Sequence, residues 1–303
     1  MLNTSELQKE ILKLKKKNDV CILAHAYQTH DILEIADYVG DSFGLAKEAK
    51  EAPNATILMC GVRFMAETVK ILSPEKKVLL SHSEAGCPMA EQLTVSDLKK
   101  LKKKHPNACV VAYINTTAAL KCECDVCVTS ASAVELVKNL PNEEIIFIPD
   151  PNLGAYVKSK VPEKKFYFID GGCPVHGLVT KEDVLHAREK YKGAEILVHP
   201  ECSDDVVSLC DFAGSTTAIM GYVRRSDKNE FVIGTENSIV QHLQFEFPEK
   251  KFYPLTKECV CKDMRLTTLI DVYNCVRGVG GEEIILDECT MTNARKCIDN
   301  MLK

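Results

Sequence analysis

The chain repeats itself three times at an interval of about 87 residues, and this repeat limits its possible folds more than any other feature. One repeated element is an apolar, β-branched strand that runs into a polar residue: CILAHAYQ at 21–28, CVVAYINT at 109–116 and EILVHPEC at 195–202. The polar residues His25, Tyr113 and His199 are 88 and 86 positions apart. Self-similarity at a fixed period indicates that one supersecondary unit is used repeatedly.

Two further features recur in the same register. A turn with a hydroxyl side chain opens a helix in GDSFGLAKEA, VTSASAVELVK and GSTTAIMGYV, and its Ser42, Ser130 and Thr216 are again 88 and 86 positions apart. Another apolar strand follows each turn, TILMCG, EIIFIPD or EFVIGTE, and leads into a helical pattern. Each unit therefore reads as helix, strand, helix, strand, helix, strand.

The fourth repeated feature contains one cysteine per unit. After a Lys-Lys pair and a short strand, each unit has Cys, six residues, Thr, two residues and Asp. Thr three residues before an acid is typical of a helix N-terminus. The register selects Cys261 over its neighbour Cys259, and it predicts equivalent loops between a strand end and a capped helix for Cys87, Cys173 and Cys261.

Strands that alternate with helices predict a parallel sheet with helices on both faces. We therefore predict an α/β protein with three small three-layer αβα domains, residues 1–90, 91–176 and 177–303, the last carrying a C-terminal extension. In open parallel sheets, sites form at the carboxyl ends of strands. The repeated polar residues, hydroxyl turns and cysteines all fall there, so three domains with inward-facing loops would enclose one central site.

Composition excludes several functional classes. The formal net charge is −5, and no sustained basic face is available for nucleic acid or an anionic membrane. The start MLNTSELQKE lacks the apolar segment of a signal peptide, and no apolar run approaches the ~20 residues that span a bilayer. We therefore expect a cytoplasmic protein whose 15 cysteines are reduced thiols.

The three units supply three candidate thiolates, and this number distinguishes between kinds of metal site. A structural zinc site uses four ligands and usually draws them as close pairs, whereas a 4Fe-4S cluster held by three thiolates leaves one iron free to bind substrate. Such an iron is a Lewis acid that polarises oxygen and assists loss of water. The alternative is three buried cysteines at equivalent structural positions, but the Gly and Pro that flank Cys87 and Cys173 favour the ligand interpretation.

The densest group of cysteines, KCECDVC at 121–127, lies outside the repeat. It occurs in one unit only, and the sequence has no matching cysteine pair elsewhere at zinc-like spacing. A second metal site or a redox relay stays open as an alternative. Local thiols in a reducing compartment are the simpler interpretation of Cys122, Cys124 and Cys127.

The polar residues at the predicted strand ends suit small-molecule chemistry. Hydroxyls and backbone N–H groups at helix N-termini bind phosphate or carboxylate, and histidines donate to carboxylates or move protons near neutral pH. Taken singly, each residue has a structural explanation as a cap or a packed side chain, and only equivalence across the units favours a site. The candidates are Ser42, Ser130 and Thr216 for anions, His25, His176 and His199 as donors, Glu201 as general base, and Tyr27 and Tyr113 as proton donors or phenolate bases.

In these residues the chain resembles the quinolinate synthase family of bacteria and archaea. Its motifs occur in order between roughly residues 20 and 270: AHAYQ, ADYVGDS, FMAETVKIL, AGCPMA, YINT, TSAS, GCPVH, HPEC, GSTTAI, IGTE and CKDMR. The resemblance implies three pseudo-threefold related domains around a central site. It implies a transferase that condenses iminosuccinate (iminoaspartate) with dihydroxyacetone phosphate to quinolinate, phosphate and water in NAD biosynthesis. It also implies one 4Fe-4S cluster with three cysteine ligands and one open iron.

The resemblance further implies roles for individual residues. The cluster ligands would be Cys87 in AGCPMA, Cys173 in GCPVH and Cys261 in CKDMR. The substrate-binding groups would be His25, Ser42, Tyr113, Asn115, Ser130, His199, Glu201, Ser215 and Thr216. Acid/base catalysis would fall to Tyr27 in AHAYQ and Glu201 in HPEC, beside His25 and Tyr113.

The resemblance implies a functional link to an aspartate oxidase or dehydrogenase that produces iminosuccinate, and neither a nucleic-acid nor a membrane partner. Two other classes stay open from the sequence. Another 4Fe-4S-dependent hydro-lyase would share the open iron but would need no phosphate site beside Ser42 and Ser130. A metal-storage or redox-sensing protein would instead use the thiols of CECDVC.

Overall fold

The computed structural model describes residues 3–302 and contains three small sheets, one for each repeat. The elements of the first repeat are α1 (Thr4–Lys17), β1 (Val20–His25), α2 (His30–Leu33), β2 (Tyr38–Gly40), α3 (Ser42–Glu51), β3 (Thr56–Cys60), α4 (Arg63–Leu72), β4 (Lys77–Leu80) and α5 (Pro88–Glu91). Those of the second are α6 (Val95–Lys104), β5 (Cys109–Tyr113), α7 (Ala118–Lys121), β6 (Val126–Val128), α8 (Ala133–Asn139), β7 (Glu144–Ile148), α9 (Pro151–Lys160), β8 (Lys165–Tyr167) and a 3₁₀ turn, His176–Leu178.

The third repeat and the C-terminal segment complete the chain. The elements of the third repeat are α10 (Lys181–Lys190), β9 (Glu195–Val198), α11 (Asp204–Val207), β10 (Phe212–Ala213), α12 (Thr216–Arg225), β11 (Glu230–Gly234), α13 (Ser238–Glu246), β12 (Lys251–Pro254) and α14 (Leu269–Val276). The last elements are β13 (Glu282–Glu283) and α15 (Glu288–Asn300). The strand orders are β2-β1-β3-β4-β13, β6-β5-β7-β8 and β10-β9-β11-β12, and all pairs are parallel except β4 with β13.

The predicted α/β class with small parallel sheets is confirmed, and the burial pattern of the first sheet explains it. Successive strand residues point to opposite faces, so an apolar run fills two cores. Leu23 and Met59 join the core under α3 and α4, whereas Ile22 and Leu58 join a second core under α1 and α14. The sheet is therefore the middle layer between two helical layers.

Each sheet has one short edge strand that the sequence pattern did not predict: β2, β6 and β10. These strands have only two or three residues, too few to give a period. An aspartate before each one, Asp37, Asp125 or Asp211, accepts the backbone N–H of a residue in the neighbouring strand at 2.7–2.8 Å. The repeated aspartate therefore fixes the start of each edge strand against the central strand.

The predicted helix caps before α6, α10 and α14 are confirmed. Thr94, Thr180 and Thr268 each accept the backbone N–H of the aspartate three residues later. Each cap satisfies one of the N–H groups that a helix start leaves without an internal partner. Because the caps fix where these helices begin, the loops that carry the repeated cysteines have a defined end.

The first lysine of each Lys-Lys pair closes the end of a helix. The ammonium groups of Lys76, Lys164 and Lys250 donate to two backbone carbonyls at the C-termini of α3, α8 and α12, respectively. The last carbonyls of a helix have no internal donor and carry the negative end of its dipole. An ammonium group satisfies both needs, which explains why a lysine recurs at this position in all three repeats.

We expect Lys76→Met to lower the free energy of unfolding by ~1–3 kcal/mol, because the carbonyls of Ala49 and Ala52 lose their buried donor. Thermal unfolding followed by circular dichroism measures the change. The matched control is Lys77→Met, since Lys77 is exposed and its ion pair with Glu283, at 3.6 Å, contributes ~0–1 kcal/mol. Equal losses in the two variants would contradict the capping role.

The C-terminal segment returns to the first two repeats. Strand β13 pairs antiparallel with β4 and extends the first sheet, and α14 packs on α1. Helix α15 packs on α4, α7 and β6 and so bridges the first and second sheets. The thiol of Cys297 in α15 lies 3.1 Å from that of Cys127 in β6, whereas the thiols of Cys122 and Cys124 donate to backbone carbonyls four residues earlier. Within residues 3–302, no helix is both long and apolar enough to cross a bilayer.

Candidate active site and metal centre

A central cavity of about 100 Å³ is lined by residues of all three repeats. Much of its lining follows the carboxyl ends of strands, which is the edge where parallel sheets place their sites. All of the candidate residues from the sequence line it: His25, Tyr27, Ser42, Cys87, Tyr113, Asn115, Ser130, Cys173, His176, His199, Glu201, Ser215, Thr216 and Cys261.

Two equivalent histidines are fixed as neutral donors. The backbone N–H of Tyr27 donates to Nδ1 of His25 at 3.1 Å, and that of Glu201 donates to Nδ1 of His199 at 3.3 Å. Each ring therefore carries its proton on Nε2. Burial lowers the pKa of both histidines to about 4, although nearby carboxylates oppose the shift. Both rings are therefore neutral near pH 7 and can donate one hydrogen bond to an anion.

Glu201 is a buried carboxylate, only 3% exposed, surrounded by hydrogen-bond donors. Nδ1 of His176 lies 2.7 Å from its Oε2 atom, and the Tyr113 hydroxyl also donates to it. Burial raises the pKa of Glu201, but His199, His176 and these hydrogen bonds outweigh burial and lower the pKa to about 2. Burial, together with the charge of Glu201, raises the pKa of Asp150 to about 7. Of these two buried acids, Glu201 therefore holds the negative charge.

Two tyrosines near this charge are neutral phenols. The Tyr27 hydroxyl lies 2.9 Å from the hydroxyls of both Thr216 and Thr235. Burial and the charge of Glu201 raise the pKa of Tyr27 and of Tyr113 well above the usual value. The site thus combines one ionised carboxylate with two phenols that keep their protons.

The hydroxyl turns hold two different positions. Ser42 and Thr216 begin α3 and α12, behind the capping residues Asp41 and Ser215. Ser130 instead lies in the loop before α8, which begins at Ala133, so the expectation that it opens a helix directly is wrong. The second repeat needs an additional turn here, and the Ser130 hydroxyl donates to Tyr113. Two helix N-termini and one loop hydroxyl therefore face the cavity.

Asn115 and Asp41 complete the polar lining. Among the described residues, Oδ1 of Asn115 is buried without a hydrogen-bond partner, although it belongs to the cavity wall. A buried polar atom without a partner destabilises the folded protein, and a ligand that donates a hydrogen bond to this atom removes the destabilisation. Asp41 accepts a hydrogen bond from the hydroxyl of Thr217 at 2.8 Å and so ties α3 of the first repeat to α12 of the third.

The three repeated cysteines line the cavity as half-buried thiols. Burial raises the pKa of Cys87 to about 12 and that of Cys261 to about 11, and it raises that of Cys173 as well. A negative charge on Cys261 would raise the pKa of Cys87 further, and a charge on Cys87 would do the same to Cys173, because like charges repel. A bound cation would instead lower the pKa of these thiols and favour the thiolates. Cys259, in contrast, is 1% exposed and its thiol lies 3.9 Å from the Val175 carbonyl.

The loop of Cys173 is positioned by Gln92, which follows α5, and by Asp150. Oε1 of Gln92 accepts the backbone N–H of Gly172 at 3.0 Å, and Asp150 accepts that of Cys173 at 3.0 Å. Gly171 has a φ of 130°, and a Cβ atom there would lie 2.0 Å from the Gln92 side chain. Only glycine fits this conformation and this close approach.

One group of potential metal ligands extends beyond the cysteines. Donor atoms of Cys173, His176 and Glu201 lie within 4.8 Å of one another, and Nδ1 of His176 is 3.3 Å from the Cys173 thiol. The cysteine-rich cavity wall and this group both indicate a metal cofactor.

Sequence reasoning missed Asp150 and Thr235 near the site. Each follows closely after the third strand of its repeat, β7 or β11, and each is completely buried. A polar residue just past the end of an apolar strand is the signal that could have found them.

Similarity to known proteins identifies the family of the chain. Residues 9–303 match the family described as quinolinate synthetase A protein. A quinolinate synthase of Caldicellulosiruptor saccharolyticus is 45% identical over 302 residues, covering 100% of this chain and 99% of that protein. Those of Clostridioides difficile and Clostridium perfringens are 44% and 45% identical over 298 residues, covering 98% of this chain and 98% and 99% of theirs. The chain therefore belongs to the quinolinate synthase family.

Proposed function

We propose that this enzyme condenses iminosuccinate with dihydroxyacetone phosphate, forming quinolinate and releasing one phosphate and two waters, in the biosynthesis of NAD. The observation that carries the proposal is the single cavity lined by three thiols, two neutral histidines, two helix N-termini and one ionised carboxylate. A dicarboxylate and a phosphate ester need several donors, and loss of water needs an acid, a base and an electrophile. The cavity wall contains groups for each task.

The cofactor that fits this donor set is a 4Fe-4S cluster held by Cys87, Cys173 and Cys261. Each repeat supplies one thiol, and burial keeps these thiols protonated unless a cation is present. When bound, such a cluster supplies one iron with an open coordination position, a Lewis acid toward substrate oxygen. Nδ1 of His176 and Oε2 of Glu201 lie 2.7 Å apart and bind each other, which favours a role for these two residues beside the metal over direct ligation. The three repeats, residues 1–90, 91–176 and 177–303, are proposed as three domains related by pseudo-threefold symmetry.

Substrate anions are assigned to groups according to their donors. Nε2–H of His25 and His199 would bind the carboxylates of iminosuccinate, because each ring offers one fixed donor. The phosphate would lie against Ser42, Ser130, Ser215 and Thr216, where hydroxyls and helix N-termini supply donors. The buried oxygen of Asn115 would accept a hydroxyl or imine hydrogen. A phosphate site of this kind favours the proposal over a simple hydro-lyase.

Proton transfer falls to Glu201 and the two tyrosines. The Glu201 carboxylate is ionised in a buried site and is the base that can take a proton from carbon. Tyr27 and Tyr113 keep their protons and can deliver them to departing water. One charged acceptor beside two neutral donors allows both removal and delivery of protons within the same cavity.

The test is an anaerobic assay with reconstituted enzyme, with an aspartate oxidase or dehydrogenase supplying iminosuccinate. We expect about four irons and four sulfides per chain, formation of quinolinate that depends on dihydroxyacetone phosphate, and loss of activity in air that reconstitution restores. All cysteines within residues 3–302 are free thiols, as a reducing cytoplasm would keep them. Fully loaded enzyme that releases no quinolinate would refute the proposal, and turnover without phosphate release would favour the hydro-lyase.

A further inference from the structure

The lysine that opens KCECDVC is a buried cationic side chain beside the central cavity. Lys121 is completely buried, and its ammonium group donates to the backbone carbonyl of Ile114 at 2.9 Å and to that of Thr116. Within residues 3–302, its hydrogen-bond acceptors are these two carbonyls rather than a carboxylate. The two carbonyls belong to the residues on either side of Asn115. The ammonium group therefore holds the loop that carries Asn115 at both ends.

The loop around Asn115 has a different turn from its equivalents. In the first repeat the backbone N–H of Gln28 donates to the carbonyl of His25 at 2.9 Å, and the third repeat forms the same bond between its equivalent residues at 3.0 Å. In the second repeat the equivalent N–H, that of Thr116, donates to the carbonyl of Ile114 at 2.8 Å. The turn in the second repeat is therefore tighter by one residue.

The residue at the end of the strand explains why this loop needs a separate anchor. The Nδ1 atoms of His25 and His199 accept the backbone N–H of the second residue after them and so fix the loops of the first and third repeats. Tyr113 holds the equivalent position, and its phenol ring has no nitrogen that could accept the N–H of Asn115. The ammonium group of Lys121 supplies an anchor of another kind, through the carbonyls of the loop.

The fold itself does not demand a lysine at this position. The repeat positions equivalent to Lys121, at the last residues of α2 and α11, hold Leu33 and Val207. Both side chains are apolar and pack against hydrophobic cores. A buried ammonium group without a carboxylate partner destabilises a folded protein, because water no longer solvates the charge. Its presence only in the repeat that carries Asn115 points to a role in the site.

The ammonium group lies directly behind the cavity wall. Its Nζ atom is 5.8 Å from the centre of the Phe64 ring, and Phe64, Ile114 and Asn115 all line the cavity. Lys121 itself is not part of the lining. Any effect of this lysine on a ligand must therefore pass through the residues that it holds.

The side chain of Asn115 has the acceptor that one proposed substrate can use. Its Oδ1 atom is buried and, among the described residues, has no partner, so it lacks a donor. Dihydroxyacetone phosphate has a free hydroxyl that can donate to it. Ser130, which we assign to the phosphate, belongs to the same repeat, and its hydroxyl donates to Tyr113, two residues before Asn115. The hydroxyl and the phosphate of one substrate would then be bound by neighbouring groups.

We propose that Lys121 is a positioning residue whose ammonium group holds the loop at residues 114–116, so that Oδ1 of Asn115 accepts the hydroxyl of dihydroxyacetone phosphate. The inference rests on the proposed function, because the substrate is assigned there. Loss of the ammonium group should weaken binding of the ligand that carries the hydroxyl. Binding of inorganic phosphate should not change, because its hydroxyl and N–H donors do not depend on this loop.

The test compares two ligands on one variant. Lys121→Met keeps an apolar side chain of similar length and removes the donors. Titration calorimetry of the cluster-loaded enzyme without iminosuccinate measures binding in the absence of turnover. We expect Lys121→Met to raise the Kd for dihydroxyacetone phosphate about 10-fold and to leave that for inorganic phosphate within about two-fold of the parent. Lys121→Gln, whose shorter side chain cannot reach both carbonyls, gives the same comparison if Lys121→Met does not take up full iron.

The matched control is Lys76→Met. Lys76 is also buried, at 8% exposed, and its ammonium group also donates to two backbone carbonyls, but it does not line or adjoin the cavity through them. This variant should lose stability and keep the parent affinity for both ligands. The contrast separates the general loss of a buried donor from loss of the Asn115 position.

A double variant tests whether Lys121 acts through Asn115. Asn115→Ala should weaken binding of dihydroxyacetone phosphate as much as Lys121→Met does, and the two changes together should weaken it no further. Parent-like affinity for dihydroxyacetone phosphate in Lys121→Met, equal losses for the two ligands, or multiplicative losses in the double variant would each overturn the inference. A parent enzyme that binds both ligands but makes no quinolinate would instead refute the proposed function.

Discussion

Replacing Cys87, Cys173 or Cys261 by Ala is expected to remove the cluster and to reduce quinolinate formation to the level of cluster-free protein. Each repeat supplies one of these thiols to the central cavity, and two remaining thiolates cannot hold a cube that normally has three or four. Iron and sulfide content after anaerobic reconstitution, together with the visible absorbance of the cluster, measures the loss. Thermal unfolding of the metal-free proteins should change little, because all three thiols are only half-buried.

Two other cysteines give matched controls. Cys259 precedes Cys261 by two positions, but its thiol lies 3.9 Å from the Val175 carbonyl, and Cys124 donates to the carbonyl of Leu120. Cys259→Ala and Cys124→Ala should keep nearly full iron content and activity. Near-full iron in Cys261→Ala, or its loss in Cys259→Ala, would show that the third ligand has been assigned to the wrong cysteine.

Glu201→Gln and Tyr27→Phe are each expected to lower kcat at least ~100-fold, the usual contribution of a positioned acid or base. Gln cannot take a proton from carbon, and Phe cannot deliver one to departing water. Both substitutions preserve volume, so the cluster and binding of substrate should remain. Single-turnover measurements should then detect a bound intermediate that does not proceed to quinolinate.

A control for Glu201→Gln is Glu67→Gln, because the half-buried Glu67 also accepts a hydrogen bond, from the Ala118 N–H at 2.8 Å, but does not line the cavity. This variant should keep kcat within about two-fold. Quinolinate formation by Glu201→Gln at close to the parent rate would mean that the carboxylate only shapes the pocket. The same result for Tyr27→Phe would transfer the donor role to Tyr113.

The parts of the structure that could be predicted depend on residues close together in the sequence and recur in each repeat. The cap before α10 needs only Thr180 and Asp183, three positions apart, and the same pair recurs in two other places. Because a helix start fixes the loop before it, the cysteine in that loop could be selected by register alone. The polar residues at the carboxyl ends of β1, β5 and β9 were predictable for the same reason, since parallel strands bring these ends to one edge of the sheet.

The parts that could not be predicted depend on distant contacts or on exceptions to the repeat. Thr235 lies 59 positions from its partner His176, and the repeat gives no hint of Thr235 because the equivalent positions hold Gly61 and Pro149. Strand β13 has two residues and pairs with β4 across most of the chain. The Ser130 loop differs from its equivalents by one additional turn before α8. A periodic pattern predicts what the repeats share, and the chemistry of this site depends partly on where they differ.

The antiparallel pairing of β13 with β4 has a consequence for how the protein is made. Strand β4 is synthesised early, but its outer edge stays unpaired until Glu282 and Glu283 leave the ribosome. The third proposed cluster thiol, at residue 261, also emerges late. A nascent chain therefore presents an open sheet edge, a template for wrong pairing, during most of its translation. Iron loading before residue 261 has emerged would find two of the three proposed ligands, so correct assembly requires synthesis of the third repeat.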